Sequence, residues 1–137
     1  MTGPLLKKIF GKSRRPVKVA LLDQKKVAGI GNLYASEILY VAAIHPAKRC
    51  DRITLKQWNL IAATTIDILQ TAIAHEGSTL SDGTYRNALN DPGGYQNMHR
   101  VYDKEGKPCS ICMDTSITRI VQAQRSTFFC KSCQKHS

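Results

Sequence analysis

Four cysteines near the end of the chain have the spacing of a metal site. They occur as two Cys-x-x-Cys pairs, Cys109-Ser-Ile-Cys112 and Cys130-Lys-Ser-Cys133. Zinc favours four tetrahedral ligands, and each Cys-x-x-Cys turn can place two thiolates on one side of the ion. Residues 113–129 are long enough for two short strands and a turn that bring the second pair to the other side. The sequence therefore predicts one structural zinc ion bound by Cys109, Cys112, Cys130 and Cys133.

Two disulfides are the alternative use of these cysteines. They would need an oxidising compartment, and the amino-terminal residues do not contain the apolar core of a secretory signal. Cys50 has no Cys-x-x-Cys partner, so we expect a partly buried residue without a metal role. A closed site of four thiolates leaves no position for a substrate, so the zinc would stabilise the fold and hold neighbouring residues in place.

The segment between the cysteine pairs would present an arginine. Apolar residues at 117–121 predict an outgoing strand, and Thr127-Phe128-Phe129 predict a returning one. Residues 122–126 would then form the hairpin tip, with Arg125 at or near it. An arginine guanidinium on a rigid tip is well suited to binding a phosphate group.

A second candidate phosphate site lies in the first third of the chain. Gly29 and Gly31 precede Asn32, which we predict to be the N-cap of a helix that ends near Ala43. A helix N-terminus presents unpaired N–H groups and the positive end of the helix dipole, which favour a phosphate. Lys18 and Lys25 are spaced by about two helical turns, so one helix opened by Pro16 would place both on one face. An ordinary helix–turn–helix corner, with glycines that only allow close packing, is the alternative.

Long helices are predicted to position these sites. Thr54 and Gln57 fit a capping box before an amphipathic helix that runs to about His75, with Trp58 in its apolar stripe. Residues 76–97 are rich in Ser, Thr, Asn, Gly and Pro and predict a long loop, which is either functional or a linker. A strand entry at 98–102 would lead into the cysteine-rich module.

The charge of the chain favours an anionic partner. It has 137 residues, with 20 Lys and Arg against 10 Asp and Glu, which gives a formal net charge of +10. No apolar run approaches the roughly 20 residues that a membrane span needs. Such a positive excess points to nucleic acid before a membrane surface, although a generally basic soluble protein is the alternative. The basic segment at 1–15 could be a DNA-contacting arm or a fraying terminus.

Several motifs resemble the bacterial formamidopyrimidine-DNA glycosylases. Leu21-Leu22-Asp23-Gln24, residues 29–34 and Glu37 are similar to the helix–two-turns–helix motif of that family. Residues 77–80, 101–109 and 124–130 match the rest of the family's C-terminal half in the same order, so the resemblance covers about 14–135. Endonuclease VIII relatives share this layout, but the loop at 77–97 and the Pro-Cys knuckle favour the formamidopyrimidine branch.

The resemblance implies a mainly α fold with a division into modules. A helix–two-turns–helix DNA-binding domain at 16–97 would be followed by a small β-hairpin four-cysteine zinc finger at 98–137. The segment at 1–15 would precede both. The implied function is binding to double-stranded DNA at oxidised-purine or abasic sites, in base-excision repair.

The resemblance also implies roles for individual residues. Lys25 and Asn32 would hold phosphates beside the lesion, with Lys18 and Gly31 at the same site. Arg125 would contact the phosphates that flank the extruded nucleotide and donate a proton in δ-elimination. The loop that closes over the everted base would contain four candidate residues: Ser78, Thr84, Tyr85 and Arg86.

The amino terminus departs from the family pattern. Family members start with Pro-Glu on a β-sandwich domain, where the proline amine attacks the sugar and the glutamate acts as the acid. This chain starts Met1-Thr2-Gly3-Pro4, so we expect it to bind DNA without excising bases. It would be inactive alone, or would need a separately encoded N-terminal half that carries the glycosylase and lyase chemistry.

Two other interpretations stay open. One is a free-standing, non-catalytic and zinc-dependent DNA-binding module, and the other is a zinc-ribbon protein associated with RNA or the ribosome. In each case we expect a monomer that works in the cytoplasm, near the nucleoid if DNA is the partner, without a membrane.

Overall fold

The structure is a computed structural model that describes residues 2–23, 25–26, 30–81 and 99–136, with the backbone alone for 72–81. The helices are α1 Gly3–Phe10, α2 Val17–Leu21, α3 Asn32–Val41 and α4 Leu55–Ser81, with a short 3-10 helix at Cys50–Arg52 between the last two. The strands are β1 Thr118–Gln122 and β2 Arg125–Phe129, which pair antiparallel. The predicted order, helices followed by a small cysteine-rich hairpin, is confirmed.

The four helices pack around one apolar core. Leu6 and Phe10 of α1 are buried in it, and the Phe10 ring stacks on Trp58 of α4 with centroids 5.9 Å apart. Gly3 allows the two helices to approach closely, because a Cβ atom there would lie 1.8 Å from the Asn59 side-chain oxygen. Leu6 and Phe10 of the basic amino-terminal segment are therefore part of the helical core, and Trp58 is a core residue as predicted.

The long helix α4 begins with the predicted capping box. The Thr54 hydroxyl accepts a hydrogen bond from the Gln57 amide over 3.2 Å, and the Gln57 side chain accepts one from the Thr54 amide over 3.0 Å. The helix continues beyond the predicted end near His75 as far as Ser81. Ser78 consequently lies in the last turns of α4 and not in a loop, because no proline interrupts this segment.

The other three candidate loop residues, Thr84, Tyr85 and Arg86, lie outside the described residues together with the rest of 82–98. The described part of the predicted strand entry at 98–102 forms a turn, in which the Lys104 amide donates to the Val101 carbonyl over 3.1 Å. The strand prediction was wrong there because a side chain from α3, described below, takes the amides that a neighbouring strand would use.

The zinc-finger hairpin turns more tightly than predicted. Gln122 pairs with Arg125, so Ala123 and Gln124 alone form the tip. Both have positive φ, 49° and 67°, as a two-residue type I′ turn requires. Arg125 is therefore the first residue of β2, which places its side chain on a fixed strand at the edge of the turn.

Helix α3 contributes to both modules. Its residues Ala35, Ile38 and Leu39 belong to the helical core. Tyr40 belongs instead to the apolar cluster of the finger, which also contains Val101, Cys109, Ile117, Phe128 and Cys130. The helix thus contributes to setting the position of the finger on the helical domain. None of the described helices combines the length and hydropathy that crossing a bilayer would need.

Candidate nucleic-acid interface and zinc centre

The four predicted metal ligands meet at one point. The sulfur atoms of Cys109, Cys112, Cys130 and Cys133 all lie within 4.8 Å of one another. The Sγ atoms of Cys109 and Cys133 are 3.7 Å apart, and those of Cys112 and Cys130 are separated by the same distance. A tetrahedral zinc ion with Zn–S bonds of about 2.3 Å separates its sulfurs by about 3.8 Å. The arrangement therefore fits one structural zinc ion, and it excludes the alternative disulfides, whose sulfurs bond at about 2.05 Å.

Cys50 is not part of this group. Among the described residues the candidate metal ligands are the four finger cysteines, whereas Cys50 is completely buried in the helical core. Burial raises the pKa of the Cys50 thiol to about 11, so it stays protonated. The expectation of a residue without a metal role agrees with this position.

Hydrogen bonds from within the finger support its sulfurs. The Ile111 amide donates to Cys109 Sγ over 3.4 Å, and the Cys133 amide donates to Cys130 Sγ over 3.5 Å. The buried Gln134 side chain accepts from the Cys130 amide and donates to the Ile44 carbonyl, over 2.9 and 3.0 Å. Gln134 therefore ties the second knuckle to the α3–α4 connection, a role that the sequence did not reveal.

One side chain from the helical domain also reaches the metal centre. The hydroxyl of Tyr40 lies 3.0 Å from Cys109 Sγ and 3.2 Å from Ser110 Oγ. Burial, followed by the hydrogen bond with Cys109, raises the pKa of Tyr40 to about 12, so the hydroxyl keeps its proton at neutral pH. Burial alone would raise the pKa of Cys109, but the hydrogen bonds from Tyr40 and from knuckle amides outweigh it and lower that pKa to about 6.

Lys18 and Asn32 converge on the backbone of the hairpin. Asn32 Nδ2 donates to the carbonyl oxygen of Ser126 over 2.9 Å, and its Oδ1 accepts from Lys18 Nζ. Lys18 Nζ also lies 3.4 Å from the same carbonyl. Asn32 is the first residue of α3, and Gly31 occupies the N-cap with no side-chain cap bond. The predicted N-cap role of Asn32 was wrong, because its side chain bonds the hairpin and not its own helix.

The positive charges at this convergence have no acidic partner in the part of the chain that the structure describes. Lys18 is completely buried, and burial, followed by the positive charge of Arg125, lowers the pKa of Lys18 from 10.5 to about 8. Arg125 is exposed. The ion pairs among the described residues are formed by three other arginines: Arg15 with Asp23, Arg49 with Asp51 and Arg100 with Glu37. A buried lysine next to an exposed arginine therefore forms a positive site suited to an anion.

Gly31 leaves open space in front of α3. A Cβ atom at this residue would meet nothing within 4 Å, and its φ of −92° is accessible to any residue. The free chain therefore has no steric need for glycine at this position. Gly29 lies outside the described residues.

The prediction that Lys18 and Lys25 share one face of a helix was wrong. Helix α2 ends at Leu21, so the two lysines do not share one helical face. Asp23 follows the helix, and its carboxylate accepts from the Lys25 amide over 3.0 Å, which holds Lys25 in a turn. The Lys25 side chain is exposed there.

Glu37 belongs to the motif that resembles the family, but its role was not predicted from the sequence. It is 1% exposed, and its carboxylate accepts from three consecutive amides of Arg100, Val101 and Tyr102 over 2.9, 2.8 and 3.1 Å. Arg100 Nη1 adds an ion pair at 3.6 Å. An unpaired buried charge is costly, so these bonds bind the start of the finger to α3. The only local signal was a charged residue between Ser36 and Ile38 in a helix whose other residues are uncharged.

A cavity of about 400 Å³ lies at a separate place, lined by Lys48, Arg49, Arg52 and His136. The Arg49 guanidinium already pairs with Asp51 at 2.5 Å, and Lys48 Nζ donates to the Gln57 side chain over 3.3 Å. Arg49 is therefore paired with an acidic residue here, whereas Lys18 and Arg125 have no acidic partner among the residues that the structure describes.

Comparison with known proteins gives the family. Residues 1–84 match the sequence family described as "Formamidopyrimidine-DNA glycosylase H2TH domain". This chain belongs to that family. Residues 106–135 match "Zinc finger found in FPG and IleRS", which agrees with the four-cysteine site. The family resemblance predicted from the sequence is confirmed.

The relatives are longer proteins. A formamidopyrimidine-DNA glycosylase of Gluconobacter oxydans is 46% identical over 136 residues, which cover 98% of this chain and 48% of the relative. One from Chloroflexus aggregans is 47% identical over 119 residues, covering 87% of this chain and 42% of the relative. The chain thus spans about half the length of these relatives.

Solved structures of family members are also about twice as long as this chain. The Lactococcus lactis Fpg bound to DNA with an abasic site superposes with a TM-score of 0.82 at 37% identity, over 97% of this chain and 47% of that one. MutM in complex with DNA containing carbocyclic 8-oxo-G gives the same TM-score, identity and coverage. The matched part is therefore the helix–two-turns–helix and zinc-finger region of these enzymes.

Proposed function

We propose that this chain binds double-stranded DNA at oxidised-purine or abasic sites, as the DNA-binding half of a base-excision-repair glycosylase and abasic-site lyase. The observation that carries the proposal is the meeting of Lys18 and Asn32 at the Ser126 carbonyl, with Arg125 close enough to act on the Lys18 charge. Among the described residues, neither of these two positive charges has an acidic partner. Structures similar to this chain were solved with abasic or damaged DNA, which supports the same partner.

A DNA phosphate suits this site for physical reasons. The amide of Asn32 and the ammonium of Lys18 are hydrogen-bond donors, and the guanidinium of Arg125 can add two parallel bonds. The N-terminus of α3 contributes its dipole, and Gly31 lets the phosphate approach the backbone because no side chain occupies that space. Gripping a phosphate next to an extruded nucleotide would offset part of the few kcal/mol that extrusion costs.

The remaining site assignments belong to the same proposal. Arg125 would donate a proton in δ-elimination, and Lys25 would add a phosphate contact from its exposed turn. The everted base would be covered by the end of α4, with the candidate Ser78, and by the segment after it, with the candidates Thr84, Tyr85 and Arg86. Base excision itself would use the N-terminal Pro-Glu residues that the family resemblance implies. These residues would belong to the same polypeptide or to a separate one. Zinc thiolates and a DNA partner suit the cytoplasm, at the nucleoid.

Binding to matched duplexes tests the proposal. Fluorescence anisotropy would compare one labelled sequence that contains a tetrahydrofuran abasic analogue, 8-oxoguanine or no lesion, each at several salt concentrations. We expect tighter binding to the abasic duplex than to the undamaged one, and a strong decrease in affinity with salt. Equal affinity for all three duplexes would refute damage recognition. Tighter binding to an RNA hairpin of the same length would instead support the alternative of an RNA-binding module.

A further inference from the structure

Helix α3 touches the zinc finger at three successive points. Asn32 bonds the hairpin at Ser126, Glu37 bonds the amides at 100–102, and Tyr40 bonds the zinc ligand Cys109. The first two contacts involve finger backbone. The third is different in kind, because it connects a side chain of the helical domain directly to a metal-binding sulfur.

The surroundings of Tyr40 fix its hydroxyl in place. The residue is fully buried, and its ring packs in the finger cluster with Val101, Ile117 and Phe128. Tyr102 extends that cluster, with its ring centroid 5.0 Å from that of Phe128. Two polar atoms lie within hydrogen-bond distance of the Tyr40 hydroxyl, Cys109 Sγ at 3.0 Å and Ser110 Oγ at 3.2 Å.

A phenol in this position is a suitable donor to a metal-bound thiolate. A thiolate accepts hydrogen bonds and cannot donate them, so the Tyr40 proton must point towards Cys109 or Ser110. Ser110 can in turn donate or accept, which leaves the tyrosine proton available for the sulfur. Such outer hydrogen bonds orient a metal ligand, and their loss typically lowers metal affinity by about 10–100-fold.

We propose that Tyr40 is a positioning residue of the zinc site, whose hydroxyl donates to Cys109 and thereby slows the release of the metal. The bond would hold the Cys109 side chain at its coordination position when the zinc–sulfur bond stretches. It would also share the negative charge of the thiolate, which is buried and therefore needs a donor. The zinc content of the finger would then depend on the packing of α3, a helix outside the finger.

The variant Tyr40→Phe tests this proposal, since it removes one hydroxyl and keeps the buried ring. The zinc-loaded full chain would be mixed with the chromophoric chelator 4-(2-pyridylazo)resorcinol, and both the rate of zinc transfer and the affinity in chelator competition would be measured. We expect release at least about tenfold faster and affinity at least about tenfold lower than in the wild type. Tyr34→Phe, in the first turns of the same helix, is the matched control and should leave both values unchanged.

Two outcomes would overturn the proposal. One is Tyr40→Phe releasing zinc at the wild-type rate. The other is an NMR result on the wild-type chain loaded with ¹¹³Cd, which is decisive even if that variant fails to fold. The proposal would be wrong if the Tyr40 hydroxyl proton exchanged rapidly with solvent and showed no scalar coupling to the metal. We expect slow exchange and a measurable coupling. Both readouts use the metal alone, so they are independent of whether the chain recognises damaged DNA.

Discussion

Asn32 Nδ2 donates a hydrogen bond to the Ser126 carbonyl over 2.9 Å, which joins the first residue of α3 to the second residue of β2. The amino-terminal third of the chain and the zinc hairpin are therefore in direct contact at the proposed phosphate site. The two elements form one continuous surface there, on which Lys18 and Arg125 supply the charge.

Substitution Asn32→Ala should weaken binding to an abasic duplex. It removes a donor to the phosphate and also the bond that positions the hairpin. A hydrogen bond to a charged group contributes about 1.5–3 kcal/mol, so we expect at least a tenfold loss of affinity in anisotropy titrations at low salt. Asn59→Ala, at an exposed asparagine of α4, is the matched control. Unchanged affinity in Asn32→Ala would contradict the phosphate assignment.

Substitution Gly31→Ala separates folding from binding. The added methyl group meets no atom within 4 Å in the free chain, and the backbone conformation is accessible to alanine. We expect the free energy of unfolding in urea to stay the same or rise by up to about 1 kcal/mol. Affinity for the duplex should fall, since the methyl group occupies the space through which a phosphate would approach. If the Gly31→Ala variant binds the duplex as tightly as the wild type, the phosphate does not contact the backbone at residue 31.

Binding should depend on pH through Lys18. Its pKa in the free chain is about 8, and a bound phosphate favours the protonated amine. Affinity for the abasic duplex should therefore decrease as the pH rises from 7 to 9. Lys18→Met should bind more weakly at pH 7 and show a flatter profile over this range. A wild-type profile that is equally flat would show that the Lys18 ammonium does not contribute.

The same lysine has an effect of opposite sign on stability. Its pKa is lower in the folded chain than the ordinary value of 10.5, so between about pH 8 and 10.5 the unfolded state binds more protons. Stability from this group therefore rises with pH through that window and is lowest below pH 8. Urea unfolding at pH 7.5 and 9.5 should show a smaller gain in Lys18→Met than in the wild type.

Substitution Arg125→Ala should affect DNA binding and leave the zinc in place. The side chain is exposed, and among the described residues the hydrogen bonds to the finger sulfurs come from other groups. We expect weaker binding and a salt dependence whose slope falls by about 1, as for the loss of one phosphate contact. The metal content, measured by atomic absorption, should equal that of the wild type and of the control Lys131→Ala. Loss of zinc, or binding that does not change, would refute the assignment.

Substitution Glu37→Gln should loosen the finger from the helical domain. The amide keeps the shape of the carboxylate but places an NH₂ group near backbone N–H donors. We expect the zinc-loaded chain to lose about 2 kcal/mol of unfolding free energy, measured in urea. The exposed Glu105→Gln is the control and should behave as the wild type. Equal stability of the two variants would mean that the buried carboxylate contributes no net stability.

Local patterns in the sequence predicted the local features of this protein. The Cys-x-x-Cys spacing led to the zinc site, and the Thr54–Gln57 box led to the start of α4, because the two residues of each cysteine pair and of the box are close in the chain. The hairpin was predicted with the right strands but too long a tip, since Ala123 and Gln124 are not the glycine and asparagine usual in such turns.

Contacts between distant segments account for what was missed. Asn32 fits an N-cap by its position, yet Ser126 competes for its side chain from the other end of the chain. Glu37 becomes informative only once residues 100–102 are placed beside it. The burial of Lys18 was not predicted, because it depends on packing that no short motif encodes.

The three contacts of α3 also restrict how this protein could be rebuilt. Asn32 and Tyr40 lie about 12 Å apart along the helix axis, and Glu37 is turned by roughly 140° from Asn32 around it. Three attachment points that are not in line determine both the placement and the rotation of a rigid body. Inserting or deleting one residue between Asn32 and Tyr40 would turn them by about 100° relative to each other. A zinc finger from another protein could therefore be transplanted onto this helix only if it offered matching partners at all three positions.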